Sequence, residues 1–173
     1  MDKRRQLASD SGLYTYETFE ILLNHEIARV KRYSGTLTLI HLALATENLT
    51  PDFVKQAHAA MTNLLDRTLR ISDVPAHYKD DFMILLPSAD NDAARAVAER
   101  ILGQFRTTQS FTTGKLSSKR NAYLGVTTQN GNDITSDGQI LAEATIAMNE
   151  ARQRQSYTFV SFADISSGLH KPY

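Results

Sequence analysis

Leu69-Arg70-Ile71-Ser72-Asp73-Val74-Pro75-Ala76-His77-Tyr78-Lys79-Asp80-Asp81-Phe82-Met83-Ile84-Leu85-Leu86-Pro87 is the stretch around which the chain is organised. It reads as the end of a helix, a short strand, a tight turn at Lys79-Asp80-Asp81, and a buried strand. Two features on it carry chemistry. One is an Arg-x-x-Asp, Arg70 and Asp73, at the junction of helix and strand. The other is the acidic pair Asp80 and Asp81 at the hairpin tip.

The elements outward from the hairpin have clear punctuation. On its N-terminal side, Thr50-Pro51-Asp52 is a helix start with a cap, a proline at the first position and an acid in the first turn. Phe53, Ala57, Ala60, Met61, Leu64 and Leu65 then form a stripe running down to Leu69. Before that, Thr36 to Ala45 is almost wholly apolar, as expected of a central strand covered on both faces. Thr15 caps a first helix with Phe19, Leu22, Leu23, Ile27 and Val30 inward, and Glu26, Arg29, Lys31 and Arg32 on its far face; Ser34-Gly35 ends it.

On the C-terminal side, Asp90-Asn91-Asp92 opens a helix with Ala94, Val97, Ala98, Ile101, Leu102 and Phe105 inward. Residues 107–120, rich in Thr, Ser and Lys, alternate weakly and read as an edge strand or a loop. Asn121 to Thr128 is a strand, Gln129 to Asp133 a loop, and Asp137 to Arg154 a long helix with Ile140, Leu141, Ala144, Met148 and Ala151 inward. Tyr157 to Phe162 is the last strand. After the first helix the order is strand-helix-strand-strand-helix-strand-helix-strand. Its first six elements form a split βαβ (ferredoxin-like, βαββαβ) core with flanking helices, an α+β domain.

Composition bounds the function. At 173 residues the chain is one domain with room for a core, 42% hydrophobic and 22% charged. Nineteen basic residues balance nineteen acidic ones, so no overall field draws it to nucleic acid or to a membrane, and any anion site must be local. With no cysteine, disulfides and thiol chemistry are excluded. Met1 to Arg5 is followed by Gln6-Leu7-Ala8-Ser9-Asp10 rather than an apolar run, and no apolar stretch approaches the ~20 residues of a membrane span, so neither a secretory signal nor a span is expected and a cytoplasmic location is. His25, His41, His58, His77 and His170 lack metal-ligand spacing, and His41 reads as a satisfied core histidine.

Several short pieces, in this order, resemble the GGDEF domain family, the diguanylate cyclases and their inactive relatives. Ser11-Gly12-Leu13-Tyr14 is similar to the family's start and His25 to Tyr33 to its first helix. Phe82 to Pro87 resembles the strand after its signature turn, Ala98 to Ile101 the next helix, and Leu124-Gly125-Val126 the strand beyond. The likeness runs from about residue 8 to residue 163. It implies a GGDEF-like, nucleotidyl-cyclase-like fold over residues 11–163, between an N-terminal arm (1–10) and a C-terminal tail (164–173).

The departures from the pattern bear on activity. The family's Asp-x-Asp metal carboxylates at the end of the first core strand are replaced by Ala43-Leu44-Ala45, and its guanine-reading elements are missing from the shortened Leu49 to Lys55 segment. The Gly-Gly-Asp-Glu-Phe turn becomes Tyr78-Lys79-Asp80-Asp81-Phe82, one residue closer to Asp73. Its glycines let backbone approach phosphate, and Tyr78 and Lys79 fill that space. The Ala-Asp of the last long helix is Ala144-Thr145, and the phosphate-binding Lys after it is Arg152. Two-metal phosphoryl chemistry needs carboxylates flanking ions about 4 Å apart. The expectation is therefore a degenerate domain with no catalytic residues, no metal and no cofactor.

What the resemblance retains is an inhibitory-type product site. Arg70, Asp73 and Arg100 fall on its positions. Arginine forks suit guanine O6/N7 or phosphate, and aspartate suits the guanine N–H edge. The expected function is cyclic di-GMP binding, with output through dimerisation or an unidentified effector protein. The rivals are a nucleotide-independent scaffold and a residual GTP-binding or cyclase activity.

Overall fold

The computed structural model describes residues 11–107, 111–113, 116–118, 120–155 and 159–168. The first helix, α1 (Tyr16–Tyr33), begins where the Thr15 side chain accepts a hydrogen bond from the Thr18 N–H. It leads into β1 (Thr36–Leu44). The second helix, α2 (Pro51–Thr68), starts at Thr50, whose hydroxyl accepts from the Phe53 N–H, with Pro51 at the position where a missing N–H costs nothing. The hairpin is β2 (Val74–Tyr78) and β3 (Asp81–Pro87). Next come α3 (Asn91–Thr107), the short pair β4 (Phe111–Thr113) and β5 (Leu116–Ser118), and β6 (Ala122–Asn130). The chain ends with α4 (Asp137–Arg154), β7 (Phe159–Ser161) and α5 (Phe162–Ser166).

Five strands form one sheet in the order β2-β3-β1-β6-β7. All neighbours are antiparallel except β6 and β7, which are parallel. This is the expected split βαβ core with one strand added, an α+β domain of the nucleotidyl-cyclase type. The central place of β1 explains its composition. Ile40, Leu42 and Leu44 face α2 and α3 on one side. Leu37 and Leu39 face α1 and α4 on the other. Helix α4 lies so close to β6 that a Cβ on Gly125 would sit 2.0 Å from the Met148 backbone nitrogen. Among the described residues no helix is long and apolar enough to cross a membrane.

The structure corrects the sequence reading at four places. The 107–120 segment carries a separate two-stranded ladder, β4 with β5, rather than an edge strand of the main sheet. Strand β6 runs on through Gln129 and Asn130, which had the composition of a loop, because Thr36 and Leu37 of β1 still pair with them. Phe162 leaves the last strand to open α5, so the expected tail begins as helix; residues 169–173 lie outside the described residues, as do the N-terminal arm and Tyr157. Finally, Asp81 already pairs with Tyr78, so the hairpin loop is Lys79-Asp80 alone.

Candidate functional site

The hairpin tip stands over one end of β1. Lys79 takes φ 53°, in the left-handed region that favours glycine. This is the position of the second glycine in the pattern that the sequence resembles, and here it carries a long cation. The Lys79 ammonium lies 5.5 Å from the centre of the Tyr78 ring. That ring packs against Tyr16 at 5.0 Å and meets His41 edge-on at 5.5 Å.

His41 is 2% exposed. Its Nε2 lies 2.8 Å from Asp81 Oδ2, and its Nδ1 2.9 Å from Thr145 Oγ1 on α4. Thr145 in turn donates to the Leu141 carbonyl at 2.9 Å. His41 is thus the satisfied core histidine that its apolar strand suggests, and it fixes the second acid of the turn. Asp80 stays exposed at the tip.

Between the hairpin and α2 opens a cavity of about 1020 Å³. Its charged lining is Lys55, Lys79 and Arg152 against Asp80 and Asp81. Two imidazoles form one wall: His58 and His77 stack at 5.6 Å with planes 12° apart, and His58 packs on Phe82 at 4.7 Å. Burial lowers the pKa of both histidines. Asp80 and Asp81 oppose the shift at His58, while His58 adds to it at His77. Ser11 Oγ lies 2.7 Å from His77 Nε2. Arg152 reaches the cavity over the Tyr123 ring, 5.8 Å from its centre.

The residues at this cavity do not fit a two-metal cage. At the end of β1, where carboxylates are needed, Ala43 is buried against Tyr123 and Ala147, and Ala45 presents only a methyl group. Among the described residues no three His, Asp or Glu side chains are gathered to hold a metal ion.

The second candidate site lies at the far end of α2. Asp73 is 6% exposed, and its Oδ2 accepts from the Arg70 backbone N–H at 2.9 Å. The Asp73 N–H donates to the Arg70 carbonyl at 3.0 Å. The Arg-x-x-Asp is therefore a closed turn whose carboxylate binds backbone. Arg70 and Ile71 are exposed on it. Arg100 comes from α3 and donates to the Thr68 carbonyl at 3.3 Å, two residues before Arg70. The Arg100 guanidinium thus reaches the end of α2 just before Arg70, with both arginines exposed and Asp73 buried.

Sequence reasoning singled out Arg152 and the turn residues but not His58 and His77 as a pair. They are 19 positions apart on a helix and a strand. Each is within reach of the other only once α2 has packed across the sheet, and no spacing rule signals that.

Residues 11–157 match the family model described as diguanylate cyclase, GGDEF domain. The chain belongs to the GGDEF domain family. Solved structures share the fold at low identity. The coiled coil and GGDEF domain of DgcB from Caulobacter crescentus, in complex with c-di-GMP, superposes with a TM-score of 0.78 at 12% identity, over 92% of this chain and 87% of that one. The diguanylate cyclase SiaD of Pseudomonas aeruginosa, in complex with its activator SiaC, gives 0.75 at 21%, over 87% of this chain and 59% of that one. The active GGEEF domain of a diguanylate cyclase from Vibrio cholerae gives 0.72 at 16%, over 84% and 95%. No curated protein matches the chain.

Proposed function

We propose that this GGDEF domain is a non-catalytic receptor for cyclic di-GMP, which it holds with Arg70 and Arg100 above the Asp73 turn. The observation that carries the reading is the approach of the Arg100 guanidinium to the end of α2, two residues before the exposed Arg70. Arg100 crosses from α3 to the Thr68 carbonyl, beside the turn that fixes Arg70. Two exposed arginines, one on the turn and one reaching the residues just before it, suit a ligand with two phosphates and two guanines. Asp73 acts chiefly by locking the turn, and its shallow exposure leaves it as a wall beneath the ligand. A GGDEF protein of the same fold holds this dinucleotide. Output passes through an effector protein or through dimerisation. Non-catalysis rests on the methyl groups that end β1 and on the tether between Asp81 and His41.

Calorimetry tests the reading. Cyclic di-GMP is expected to bind the full chain with micromolar affinity, and Arg70→Ala or Arg100→Ala to weaken it at least about tenfold. Absence of heat, or affinity unchanged in both variants, removes the proposal. Turnover of guanosine triphosphate to dinucleotide with magnesium or manganese would overturn the non-catalytic part alone.

A second reading, a nucleotide-independent interaction scaffold, draws on a different observation. Ile71 is 75% exposed on the same turn, flanked by a carboxylate already committed to backbone. On that reading, a partner captured by the protein is recovered equally with and without cyclic di-GMP and is lost on Ile71→Asp.

A further inference from the structure

Asn130-Gly131 is the one asparagine-glycine pair in the chain, and the fold holds it at the end of β1 opposite the cavity. Thr36 pairs with Asn130 across the ladder, whereas Leu44, at the other end of β1, lines the cavity. Asparagine is chemically labile where the next backbone nitrogen can attack its side-chain amide carbon, and a glycine leaves that approach free of a side chain. The glycine is imposed by packing. A Cβ on Gly131 would sit 2.3 Å from the Val30 carbonyl oxygen and 3.0 Å from the Lys31 Cα, so no other residue fits where β6 meets the end of α1. Three hydrogen bonds then set the reacting groups. The Gly131 N–H, whose nitrogen is the nucleophile, donates to the Gly35 carbonyl at 3.1 Å. The Asn130 carbonyl accepts from the Asp133 N–H at 3.1 Å and closes the turn. The Asn130 side-chain Oδ1 accepts from the Asn132 N–H at 3.2 Å, which draws electron density away from Cγ, the electrophile. Asn130 is exposed. The electrophile is thus primed and open to solvent while the nucleophile is tied.

We propose that Asn130 is a site of spontaneous deamidation, gated by the hydrogen bond between Gly131 and Gly35. When the end of the β1–β6 ladder opens, solvent hydroxide takes the Gly131 N–H proton and the nitrogen attacks Asn130 Cγ. The bond from the Gly131 nitrogen to Cγ forms, the Cγ–Nδ2 bond breaks, and the departing nitrogen takes a proton from water and leaves as ammonia, which regenerates hydroxide. The succinimide ring then takes up one water. Opening at one carbonyl gives aspartate, and opening at the other gives isoaspartate. Isoaspartate routes the main chain through Cγ and adds a methylene between residues 130 and 131. Gly131 can then no longer meet Val30 and Gly35 while residue 130 stays paired with Thr36. The link between α1 and β1 loses its tie to β6, and the change is one-way.

The test follows the full chain at mildly alkaline pH, folded and in guanidinium chloride, by peptide mapping that separates asparagine, aspartate and isoaspartate at position 130. In denaturant, Asn130 is expected to react ahead of the other asparagines, none of which precedes a glycine. In the folded chain the reaction is expected to be at least about tenfold slower, a factor matched by the hydrogen-exchange protection of the Gly131 amide. The isoaspartate form, separated by chromatography, is expected to lose that protection and to unfold at lower denaturant. Asn130→Asp, which has a main chain of ordinary length and keeps a side-chain acceptor, is expected to hold both near the parent's. Equal rates in the folded and unfolded chain, or another asparagine reacting first in denaturant, would overturn the inference. So would an isoaspartate form whose Gly131 amide stays protected, or an Asn130→Asp variant that loses protection to the same extent.

Discussion

His41 and Asp81 meet at 2.8 Å, tying the middle of the central strand to the first residue of β3 at the tip of the hairpin. A buried imidazole on an otherwise apolar strand is costly unless both nitrogens are bonded, and Asp81 and Thr145 are the partners that meet that need. Replacing His41 by Leu leaves the Asp81 carboxylate, which is partly buried, without this partner. His41→Leu is expected to lower stability by about 1–3 kcal/mol, read from urea unfolding of the variant and the parent. Asp81→Asn costs less, because an amide oxygen or N–H can still bond the ring. In the double variant the two losses sum to more than is observed, and the shortfall is the coupling between the residues.

Lys79 gives a prediction of the opposite sign. Its φ of 53° is one that side chains with a Cβ adopt at a cost of roughly 1–2 kcal/mol, against which glycine loses about 0.5–1 kcal/mol in unfolded-chain entropy. Lys79→Gly is therefore expected to raise stability by about 0.5–1 kcal/mol, whereas Lys79→Val, with a branched Cβ, lowers it. The two urea midpoints should fall on either side of the parent's. A midpoint for Lys79→Gly below the parent's would show that the Lys79 side chain contributes more through Tyr78 than its backbone conformation costs.

Most of the frame is legible in the residues because local signals and the global pattern agree. Thr15 and Thr50 cap the helices that they appear to cap, and α4 runs from Asp137 to Arg154 as its apolar period requires. The unbroken apolar run of β1 announces a strand covered on both faces. What the sequence hides depends on partners distant along the chain. Gln129 and Asn130 become strand because β1 extends to meet them. The Arg-x-x-Asp spacing is visible, but not that the carboxylate of Asp73 turns back to the Arg70 amide. The wall made by His58 and His77, and the cavity that it lines, arise from separate elements, each ordinary when read alone.

Gly125 tests the packing of α4 on the sheet. A Cβ there would approach the Met148 nitrogen to 2.0 Å and the Ala144 carbonyl oxygen to 2.3 Å, and both are backbone atoms that no rotamer change can move. Gly125→Ala must push α4 away from β6, opening the layer formed by Ala144, Ala147 and Met148. A loss of about 3 kcal/mol or more is expected from overpacking, seen as a lowered thermal midpoint. Gly103 provides the control, since a Cβ on it meets no atom within 4 Å. Gly103→Ala in the middle of α3 is expected to stabilise by up to about 1 kcal/mol.

The stacked pair His58 and His77 makes stability depend on pH in a defined direction. Burial holds both imidazoles below their ordinary value, and at His77 the neighbouring His58 adds to the effect. In the unfolded chain both titrate near about 6.5, so below that pH the unfolded state binds more protons than the folded one. The stabilisation is complete above the unfolded value, declines as pH falls through it, and levels off below the folded values. Unfolding free energies measured from about pH 7.5 down to about pH 5.5 should therefore fall with acidification, a range above the ordinary carboxylate values. The variant carrying His58→Gln and His77→Gln is expected to lose most of that slope while keeping a folded baseline at the upper end. A slope unchanged in the double variant would assign the proton uptake to other groups. A slope of opposite sign would mean that Asp80 and Asp81, which favour the charged form of His58, outweigh burial at the cavity wall.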